Sequence, residues 1–399
     1  MSMDVVVLFF RFGPYHVARL DAVGRKVSLT AIELSGQATE YAWDPVDTPP
    51  SFERVTVFPD QSHRSVPRSD LRASIEHTLD AIAPDVVVLP GWDDPGTLIA
   101  LQWCRRHNVP RIVMSASSAR DAPRTWWREA IKRQVVTSYD AGLVGGQRHA
   151  AYLQSLGMPP ARTFTGYNVV DNAYFAAGAA SAREHADRVR KTLDLPDRYF
   201  LAIGRFIPKK NFDFLLRAFA QYRHRSSSPV ELVLLGDGPL DADLRAYRAA
   251  LNLEDSIHLP GFKQYDVLPA YYGLAEAFVH TSLREQWGLV VNEAMAAGLP
   301  VIVSERCGCV PDLVHPGRNG FSFDPEDSDA LVSHLQAVAS DADRRAAMRA
   351  DSTDIVADWT PASFADQLLQ AADAAQAHRS RSRKASVLRS LVTEGLLRR

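Results

Sequence analysis

The 399-residue sequence has little cysteine, almost no net charge and no long apolar run. Its three cysteines cannot all pair, and no clustered histidines complete a four-ligand zinc site. No run approaches the ~18–20 apolar residues of a membrane-spanning helix, and the start is a poor signal peptide because it has an acid and no early basic residue. A net charge of −2 argues against general nucleic-acid binding. We expect a cytoplasmic protein without metal, cofactor or nucleic-acid partner.

The apolar content of 46% is enough for about two domains that each bury a core. Short apolar runs alternate with amphipathic stretches, a pattern typical of βαβ units on a parallel sheet. In the first half we predict strands at Val5–Phe10, Val86–Leu89, Arg111–Met114 and Ala141–Val144, and helices at Arg68–Ile82 and Pro95–Arg106. In the second half we predict strands at Phe200–Ile203, Glu231–Leu235, Ile257–Leu259, Ala277–His280 and Val301–Val303, and helices near 211–223, 239–251, 289–297 and 328–340. The sequence thus predicts two doubly wound, Rossmann-like α/β domains.

The weakest stretch between these domains is 176–196, which is Ala-rich and charged and holds one predicted helix, Ala182–Leu193. A last helix begins at Pro361 with Thr360 as its N-cap. We therefore expect an N-terminal domain, a C-terminal domain, a final helix packing back on the N-terminal domain and a basic tail, at residues 1–180, 181–360, 361–377 and 378–399.

The basic tail differs in charge from the body of the chain. From Gln376 onward the net charge is +6, which leaves −8 for the preceding residues. Four apolar residues there could form one helical stripe among arginines, namely Leu388, Leu391, Val392 and Leu396. Two interpretations stay open: a helix lying on the anionic inner face of a membrane, where lipid-linked acceptors reside, and a frayed or packed terminus.

The most informative segment is HTSLREQWGLVVNEAMAAGLPVIVS, which begins at His280. Glu285 and Glu293 are eight residues apart, and between them Gly288 allows a close turn into a helix that begins near Leu289 and Val290. Free N–H groups at such a helix start favour an anion, while Glu293 can accept two ribose hydroxyls. The alternative interpretation is two solvated surface acids.

This segment and the following SERCGCVPDLVHPGRNGFSFDPED closely resemble the C-terminal domain of the family-4 retaining glycosyltransferases of the GT-B fold. The resemblance implies two Rossmann-like domains that face each other across a cleft, with a nucleotide-sugar donor bound by the C-terminal domain. It also implies that Glu285 lies beside the hydroxyls of the donor sugar and positions it.

Three further segments extend the resemblance in the expected order. AIGRFIPKKN matches the family's Gly-Arg...Lys element, which implies that Arg205 and Lys210 hold the diphosphate of the donor. Such cations would stabilise the charge on a departing diphosphate. The resemblance of the segment LPGFKQYDVLPAYY implies that the backbone near Phe262 and Lys263 contacts the nucleobase. The resemblance of the segment LLGDGPL implies that the backbone at Gly236–Gly238 closely approaches the nucleotide. Both glycine loops could equally be ordinary βα turns.

The N-terminal half departs from the family pattern. The loop after its first strand reads FRFGPYH, with Gly13 in place of two adjacent glycines. The usual histidine of that domain is also absent, since the strand concerned ends in MSASS. His16 is then the nearest candidate to touch the transferred sugar, although a lone histidine after a strand is more often structural. Trp126 and Trp127 either border the acceptor region or belong to the core.

Two Asp-x-Asp pairs, beginning at Asp241 and Asp341, resemble the metal-binding motif of a different glycosyltransferase fold. Both stand at predicted helix starts, where acids favourably meet the helix dipole, so no metal site is predicted. The resemblance implies metal-independent transfer of a sugar to an unidentified hydroxyl acceptor in glycan, glycolipid or polysaccharide biosynthesis. A sugar-nucleotide epimerase of the same fold and a two-domain solute-binding protein are the alternatives.

Overall fold

The computed structural model describes residues 3–36 and 50–379, which divide into two compact units. The first runs to Val169 and resumes at Pro361, and the second is Val170–Thr360. The stripe predicted in the basic tail lies outside the described residues. Within them, no helix is both long and apolar enough to cross a bilayer.

Among the described residues, the first unit is a seven-stranded parallel sheet in the order β3-β2-β1-β4-β5-β6-β7. Its strands are β1 (Asp4–Phe9), β2 (Ser28–Ser35), β3 (Glu53–Phe58), β4 (Val86–Pro90), β5 (Arg111–Ser115), β6 (Ala141–Val144) and β7 (Thr163–Thr165). Its helices up to β7 are α1 (Pro14–Gly24), α2 (Arg68–Ile82), α3 (Pro95–Arg106), α4 (Trp126–Val136) and α5 (Gln147–Ser155). Central strands such as β4 are buried along their whole length, as expected when helices cover both faces.

The described part of the second unit contains a six-stranded parallel sheet in the order β10-β9-β8-β11-β12-β13. Its strands are β8 (Tyr199–Ile203), β9 (Glu231–Leu235), β10 (Ile257–Gly261), β11 (Ala277–His280), β12 (Val301–Ser304) and β13 (Gly320–Phe323). Its helices are α6 (Asn172–Glu184), α7 (Ala186–Leu193), α8 (Phe212–Arg225), α9 (Asp241–Ala250), α10 (Leu268–Leu274), α11 (Leu289–Ala296), α12 (Val310–Leu313), α13 (Ser328–Ser340) and α14 (Ala342–Val356). Two doubly wound α/β domains are therefore confirmed.

The boundary between the two units lies between Val169 and Val170. The prediction from the sequence placed it later, after residue 180. Helix α6 belongs wholly to the second unit because it packs closely on α10: a Cβ atom on Gly273 would lie 2.7 Å from the carbonyl oxygen of Ala179. The single helix predicted at Ala182–Leu193 is also wrong, since α6 ends and α7 begins around His185.

The last helix, α15 (Pro361–Arg379), packs on α1 and on β5, β6 and β7 of the first unit. Buried Arg19 of α1 lies between two aromatic rings there, 4.9 Å from the centroid of Tyr167 and 5.7 Å from that of Phe364. The chain thus returns to its first unit after completing the second.

Both sheets have a topological switch point, where the strand order reverses and ligands of such folds bind beyond the carboxyl ends. In the first unit it lies between β1 and β4, and in the second between β8 and β11. The segments around Gly13 and Arg205 follow β1 and β8, and the segment around Glu285 follows β11. Gly13, Arg205 and Glu285 therefore stand beside switch points, whereas Phe262 and Lys263 follow the edge strand β10.

Candidate functional site

The loops after β8 and β11 are joined by backbone contacts. The N–H of Leu283 donates to the carbonyl of Lys209 at 2.9 Å, and the hydroxyl of Thr281 donates to the carbonyl of Lys210 at 2.9 Å. A short 3₁₀ turn, Pro208–Lys210, ends there because Asn211 adopts a left-handed conformation with φ of 60°. These bonds hold the backbone at Lys209 and Lys210 against the segment that follows β11.

Lys210 and Glu285 form an ion pair, with side chains that are 13% and 14% exposed. Burial opposes the charge of Glu285, but the imidazole of His280 and the ammonium of Lys210 outweigh it and hold the carboxyl pKa well below its ordinary value. Glu285 is therefore an ionised carboxylate at neutral pH, able to accept hydrogen bonds and unable to donate a proton.

His280 is a site residue that the sequence pattern does not predict. It ends β11, is buried, and places Nε2 3.6 Å from Glu285 Oε2 and 3.1 Å from the hydroxyl of Ser282. Burial lowers its pKa. Its Nδ1 is buried without a hydrogen-bond partner in the described part of the chain. The only sequence signal was a polar residue at the end of an apolar strand.

Arg205 lies two residues after β8, and its side chain is exposed. Within residues 3–36 and 50–379 its guanidinium makes no ion pair or hydrogen bond, whereas Lys210 of the same loop is paired. Five N–H donors of fixed geometry are therefore free for an oxyanion. The structure does not record a contact between Arg205 and Glu285.

The loop that leads into α11 is held by the segment after β12. The N–H of Gly308 donates to the carbonyl of Glu285 at 3.0 Å, and that of Cys309 to the carbonyl of Trp287 at 3.2 Å. Gly288 then takes a φ of 101°, a conformation that favours glycine, and α11 begins at Leu289 as predicted. The first N–H groups of the helix, at Leu289 and Val290, precede the intrahelical hydrogen bonds and suit an anion.

Glu293 is on the second turn of α11 and is fully buried. The hydroxyl of Tyr272 donates to its Oε2 at 2.7 Å. Tyr272 itself packs edge-on against Phe175 of α6, with ring centroids 5.8 Å apart. The sequence pattern predicts Glu293 but not Tyr272 as a site residue, because nothing in the spacing connects α10 with α11.

The glycine loop after β9 packs against the loop that carries Arg205. A Cβ atom on Gly236 would lie 1.9 Å from the carbonyl oxygen of Gly204, and one on Gly238 would lie 2.6 Å from that of Phe206. The N–H of Phe206 also donates to the carbonyl of Asp237 at 2.8 Å. These glycines thus shape the Arg205 loop through backbone packing.

Phe262 and Lys263 follow β10, next to the same glycine loop. The N–H of Gly236 donates to the carbonyl of Gly261 at 3.1 Å, which brings the ends of β9 and β10 together. Phe262 is 40% exposed, an unusual state for a large apolar side chain. Part of its side chain is therefore accessible to solvent.

In the first unit, Gly13 and His16 form a helix N-cap. The N–H of Gly13 donates to Nδ1 of His16 at 3.1 Å, and the ring of His16 meets that of Phe9 edge-on at 4.5 Å. Burial, with a contribution from Arg19, lowers the pKa of His16 well below its ordinary value. The imidazole is neutral, with Nδ1 as the acceptor, so its proton is on Nε2.

The two tryptophans of α4 are not core residues. Trp126 is 84% and Trp127 is 42% exposed, and the guanidinium of Arg128 lies 5.1 Å from the Trp127 ring centroid. The described residues contain no group of three His, Cys, Asp or Glu side chains placed to hold a metal ion. Asp341 instead caps α14 by accepting the N–H of Arg344 at 2.9 Å.

Residues 184–354 match the family model described as Glycosyl transferases group 1. The D-inositol 3-phosphate glycosyltransferase of Salinispora tropica is 28% identical over 251 residues, which are 60% of this chain and 52% of that protein. The GDP-mannose-dependent alpha-(1-6)-phosphatidylinositol monomannoside mannosyltransferase of Mycolicibacterium smegmatis is 29% identical over 169 residues, 40% of this chain and 44% of that protein. The chain spans about half the length of these curated relatives.

Solved structures resemble the chain over most of its length. Sucrose-phosphate synthase from Thermosynechococcus elongatus has a TM-score of 0.70 at 20% identity, and Anabaena HepE in complex with UDP has 0.69 at 17%. Each comparison covers 92% of this chain and 98% of the other. At such identities the likeness establishes the fold. Together, these matches confirm the predicted GT-B fold and the resemblance to GT-B glycosyltransferases.

Proposed function

We propose that this chain, whose second unit contains a glycosyl transferases group 1 domain on a GT-B fold, moves a sugar from a nucleoside-diphosphate sugar to a hydroxyl acceptor with retention of anomeric configuration. One observation carries the proposal. Unpaired Arg205, paired Lys210 and the start of α11 follow the two strands that flank the switch point of one sheet. That combination suits a diphosphate next to Glu285, a carboxylate that accepts hydrogen bonds from hydroxyl groups.

In the proposed reaction the bond between the anomeric carbon and the β-phosphate oxygen breaks, and its electron pair stays on the diphosphate. Positive charge develops on the sugar and negative charge on the leaving group. Arg205, Lys210 and the N–H groups of Leu289 and Val290 stabilise the negative charge. The acceptor oxygen then bonds to the same face of the anomeric carbon, and its proton passes to the departing phosphate oxygen.

The remaining residues of the second unit bind the donor in this proposal. Glu285 accepts hydrogen bonds from the hydroxyls of the donor sugar, because it is ionised and partly accessible. Glu293 accepts the ribose hydroxyls, for which the buried carboxylate must become accessible in the bound state. The backbone at Phe262 and Lys263 contacts the nucleobase, and the exposed Phe262 ring supports that role.

The first unit contributes the acceptor side and His16. The proton that His16 carries on Nε2 can be donated to an oxygen of the donor sugar, while Nδ1 stays bound to Gly13. Gly13, which has no side chain, is the N-cap residue of α1. His16 thus positions the sugar in this proposal, and its helix-capping contact orients its ring.

Relatives support the class of donor and leave its identity open. The mycobacterial relative is GDP-mannose-dependent by name, and HepE was solved with UDP. Those names point to a nucleotide-sugar donor for this chain as well. The epimerase alternative gains no support from the relatives reported above, which are transferases by name.

The acceptor is proposed to be a hydroxyl on a lipid-linked or soluble molecule in glycan, glycolipid or polysaccharide biosynthesis. Vesicle co-sedimentation tests the lipid-linked case, with phosphatidylglycerol vesicles and a chain truncated after Ala377. Loss of vesicle binding in the truncated chain would support membrane contact through the tail, and unchanged vesicle binding would contradict that contact. A Trp126→Ala, Trp127→Ala variant is the control, because it measures how much the exposed tryptophans of α4 contribute to vesicle binding.

Product analysis tests the proposed reaction. The protein is incubated with UDP-, GDP-, ADP- and dTDP-sugars and a mixture of hydroxyl acceptors, and products are analysed by NMR. The proposal expects a new glycoside with the anomeric configuration of the donor. An isomerised sugar nucleotide in place of a glycoside would establish the epimerase alternative, and an inverted glycoside would contradict retention.

A further inference from the structure

A pocket lined by several arginines lies in the second unit, near the amino ends of strands β8 and β11. The pocket has a volume of about 430 Å³, and four of its lining residues are arginines, Arg183, Arg190, Arg345 and Arg349. Two acids, Asp197 and Glu276, also line it. Asp197 precedes β8 and Glu276 precedes β11, whereas Arg205 and Glu285 follow those strands. A strand of five residues separates the two places by ~16 Å.

The acids of the pocket do not neutralise its arginines. Glu276 is occupied by Arg198, which donates to its two oxygens at 2.5 and 3.0 Å, and Arg345 is 3.7 Å away. In the described part of the chain, Arg183, Arg190 and Arg349 have no carboxylate within 4 Å. Positive charge therefore remains uncompensated inside the pocket.

The unpaired guanidinium groups contact main-chain carbonyls instead. Arg183 donates to the carbonyls of Gly273, at 3.0 Å, and Ala297. Arg349 donates to that of Ala275 at 2.6 Å, and burial together with the nearby charges of Arg183 and Arg345 lowers its pKa to about 10. The crowding of like charges is thus costly, and an anion between them would relieve it.

Arg190 supplies an independent sign of a missing partner. Its Nη2 donates to the carbonyl of Asp197 at 3.1 Å, but its Nε is buried without a hydrogen-bond partner among the residues that the structure describes. A buried N–H group without an acceptor is rare in folded proteins and calls for one. An oxyanion in the pocket would supply that acceptor.

We propose that this pocket binds a phosphoryl group, either as inorganic phosphate or as a phosphomonoester, through Arg183, Arg190 and Arg349. Planar guanidinium groups match the oxygens of phosphate, and their hydrogen bonds to it are charge-assisted. This site is separate from the proposed diphosphate site, although Arg183 binds the carbonyl that ends α11. It therefore binds its anion whether or not the proposed transfer reaction is correct.

Calorimetric titration with potassium phosphate, and separately with glycerol 3-phosphate, tests the proposal at constant ionic strength. Loss of one charge-assisted partner should weaken binding about tenfold or more in Arg349→Gln and in Arg190→Gln. Arg190→Gln keeps the test valid if Arg349→Gln does not fold. Tighter binding of glycerol 3-phosphate than of phosphate would identify a phosphomonoester as the occupant, and the reverse would identify phosphate.

Two control variants separate this pocket from other anion sites. Arg225→Gln removes an exposed arginine of α8 that pairs with Asp329, and Arg205→Ala removes the free cation of the proposed diphosphate site. Arg225→Gln should bind phosphate as the wild type does, and Arg205→Ala should keep the phosphate binding that Arg190→Gln and Arg349→Gln lose. Phosphate affinity that falls in Arg205→Ala but persists in Arg349→Gln and Arg190→Gln would overturn the proposal, as would the absence of millimolar binding in the wild type.

Discussion

The ammonium of Lys210 and the carboxylate of Glu285 form an ion pair between residues 75 positions apart in the chain. The pair joins the ends of β8 and β11, the two strands that flank the switch point of the second sheet. It gives the proposed site a cation for the diphosphate and an anion for sugar hydroxyls, each oriented by the other.

Replacing Arg205 by Ala should remove transition-state stabilisation without unfolding the protein. Loss of one preorganised electrostatic donor costs ~2.7–4 kcal/mol, roughly a hundredfold to a thousandfold in turnover. The free energy of unfolding should change by less than ~0.5 kcal/mol, because the exposed side chain has no partner in the described residues. Steady-state kinetics and denaturant unfolding measure the two effects.

The control is Arg217→Ala, which removes another exposed arginine of the second unit, on α8. Its turnover should equal that of the wild type. Near wild-type turnover in Arg205→Ala, with the correct donor present, would show that Arg205 does not hold the diphosphate.

Glu285→Gln should lower stability in a pH-dependent way. Removing one partner of a mostly buried ion pair costs ~3 kcal/mol near neutral pH. Because folding depresses the pKa of Glu285, its stabilisation is present above the ordinary value of 4.5 and is lost as the pH falls towards the folded-state pKa. Urea unfolding at pH 7 and pH 3.5 should therefore show a smaller difference between wild type and variant at the lower pH.

A Lys210→Gln, Glu285→Gln double variant distinguishes the pair from general damage to the loop. It leaves neither charge unpaired, so it should be more stable at pH 7 than Glu285→Gln alone. A stability difference between wild type and Glu285→Gln that stays constant from pH 7 to pH 3.5 would contradict the depressed pKa.

Tyr272→Phe should destabilise the second unit and weaken donor binding. It removes the hydrogen bond to buried Glu293, at a cost of ~1–3 kcal/mol in unfolding free energy. Tyr271→Phe is a close control, because the hydroxyl of Tyr271 is buried without a hydrogen-bond partner in the described chain. That change should be neutral or stabilising. Equal stability losses in the two variants would show that the Tyr272–Glu293 bond contributes little.

His16→Ala tests the positioning role against the capping role. Loss of the cap should cost ~1 kcal/mol in stability. His149→Ala removes a second Gly-x-x-His cap of the same unit, in which the N–H of Gly146 donates to Nδ1 of His149 at 3.1 Å. If His16 contacts the sugar, only His16→Ala should also lose about a hundredfold in turnover. Similar turnover in the two variants would leave His16 as a helix cap alone.

The alternation of apolar runs and amphipathic stretches was sufficient to predict both doubly wound domains and several helices to the residue, such as Arg68–Ile82. Strand order was not predictable, because it depends on pairing between residues distant in sequence. Strands β2, β3, β7 and β13 were also not predicted, because polar residues interrupt the apolar character of each.

Some residues carried misleading or insufficient signals. Gly178 and Ala179 lie in the Ala-rich stretch where the domain boundary was predicted, yet they are small because α6 and α10 pack at backbone distance. The spacing of Glu285 and Glu293 pointed to a site, but only the fold shows that one carboxylate pairs with Lys210 and the other is buried under Tyr272. Contacts between separate elements leave no local pattern in the sequence.

Calorimetric titration of nucleoside diphosphates tests the central claim, that the loops after β8 and β11 bind the diphosphate of the donor. Wild type and Arg205→Ala are titrated with UDP, GDP, ADP and dTDP, and with the monophosphate of the base that binds best. We predict that Arg205→Ala weakens diphosphate binding about tenfold or more and changes monophosphate binding little, since a charge-assisted hydrogen bond to the β-phosphate is lost. Equal diphosphate affinity in the two proteins, or no nucleotide binding by the wild type, would contradict the account.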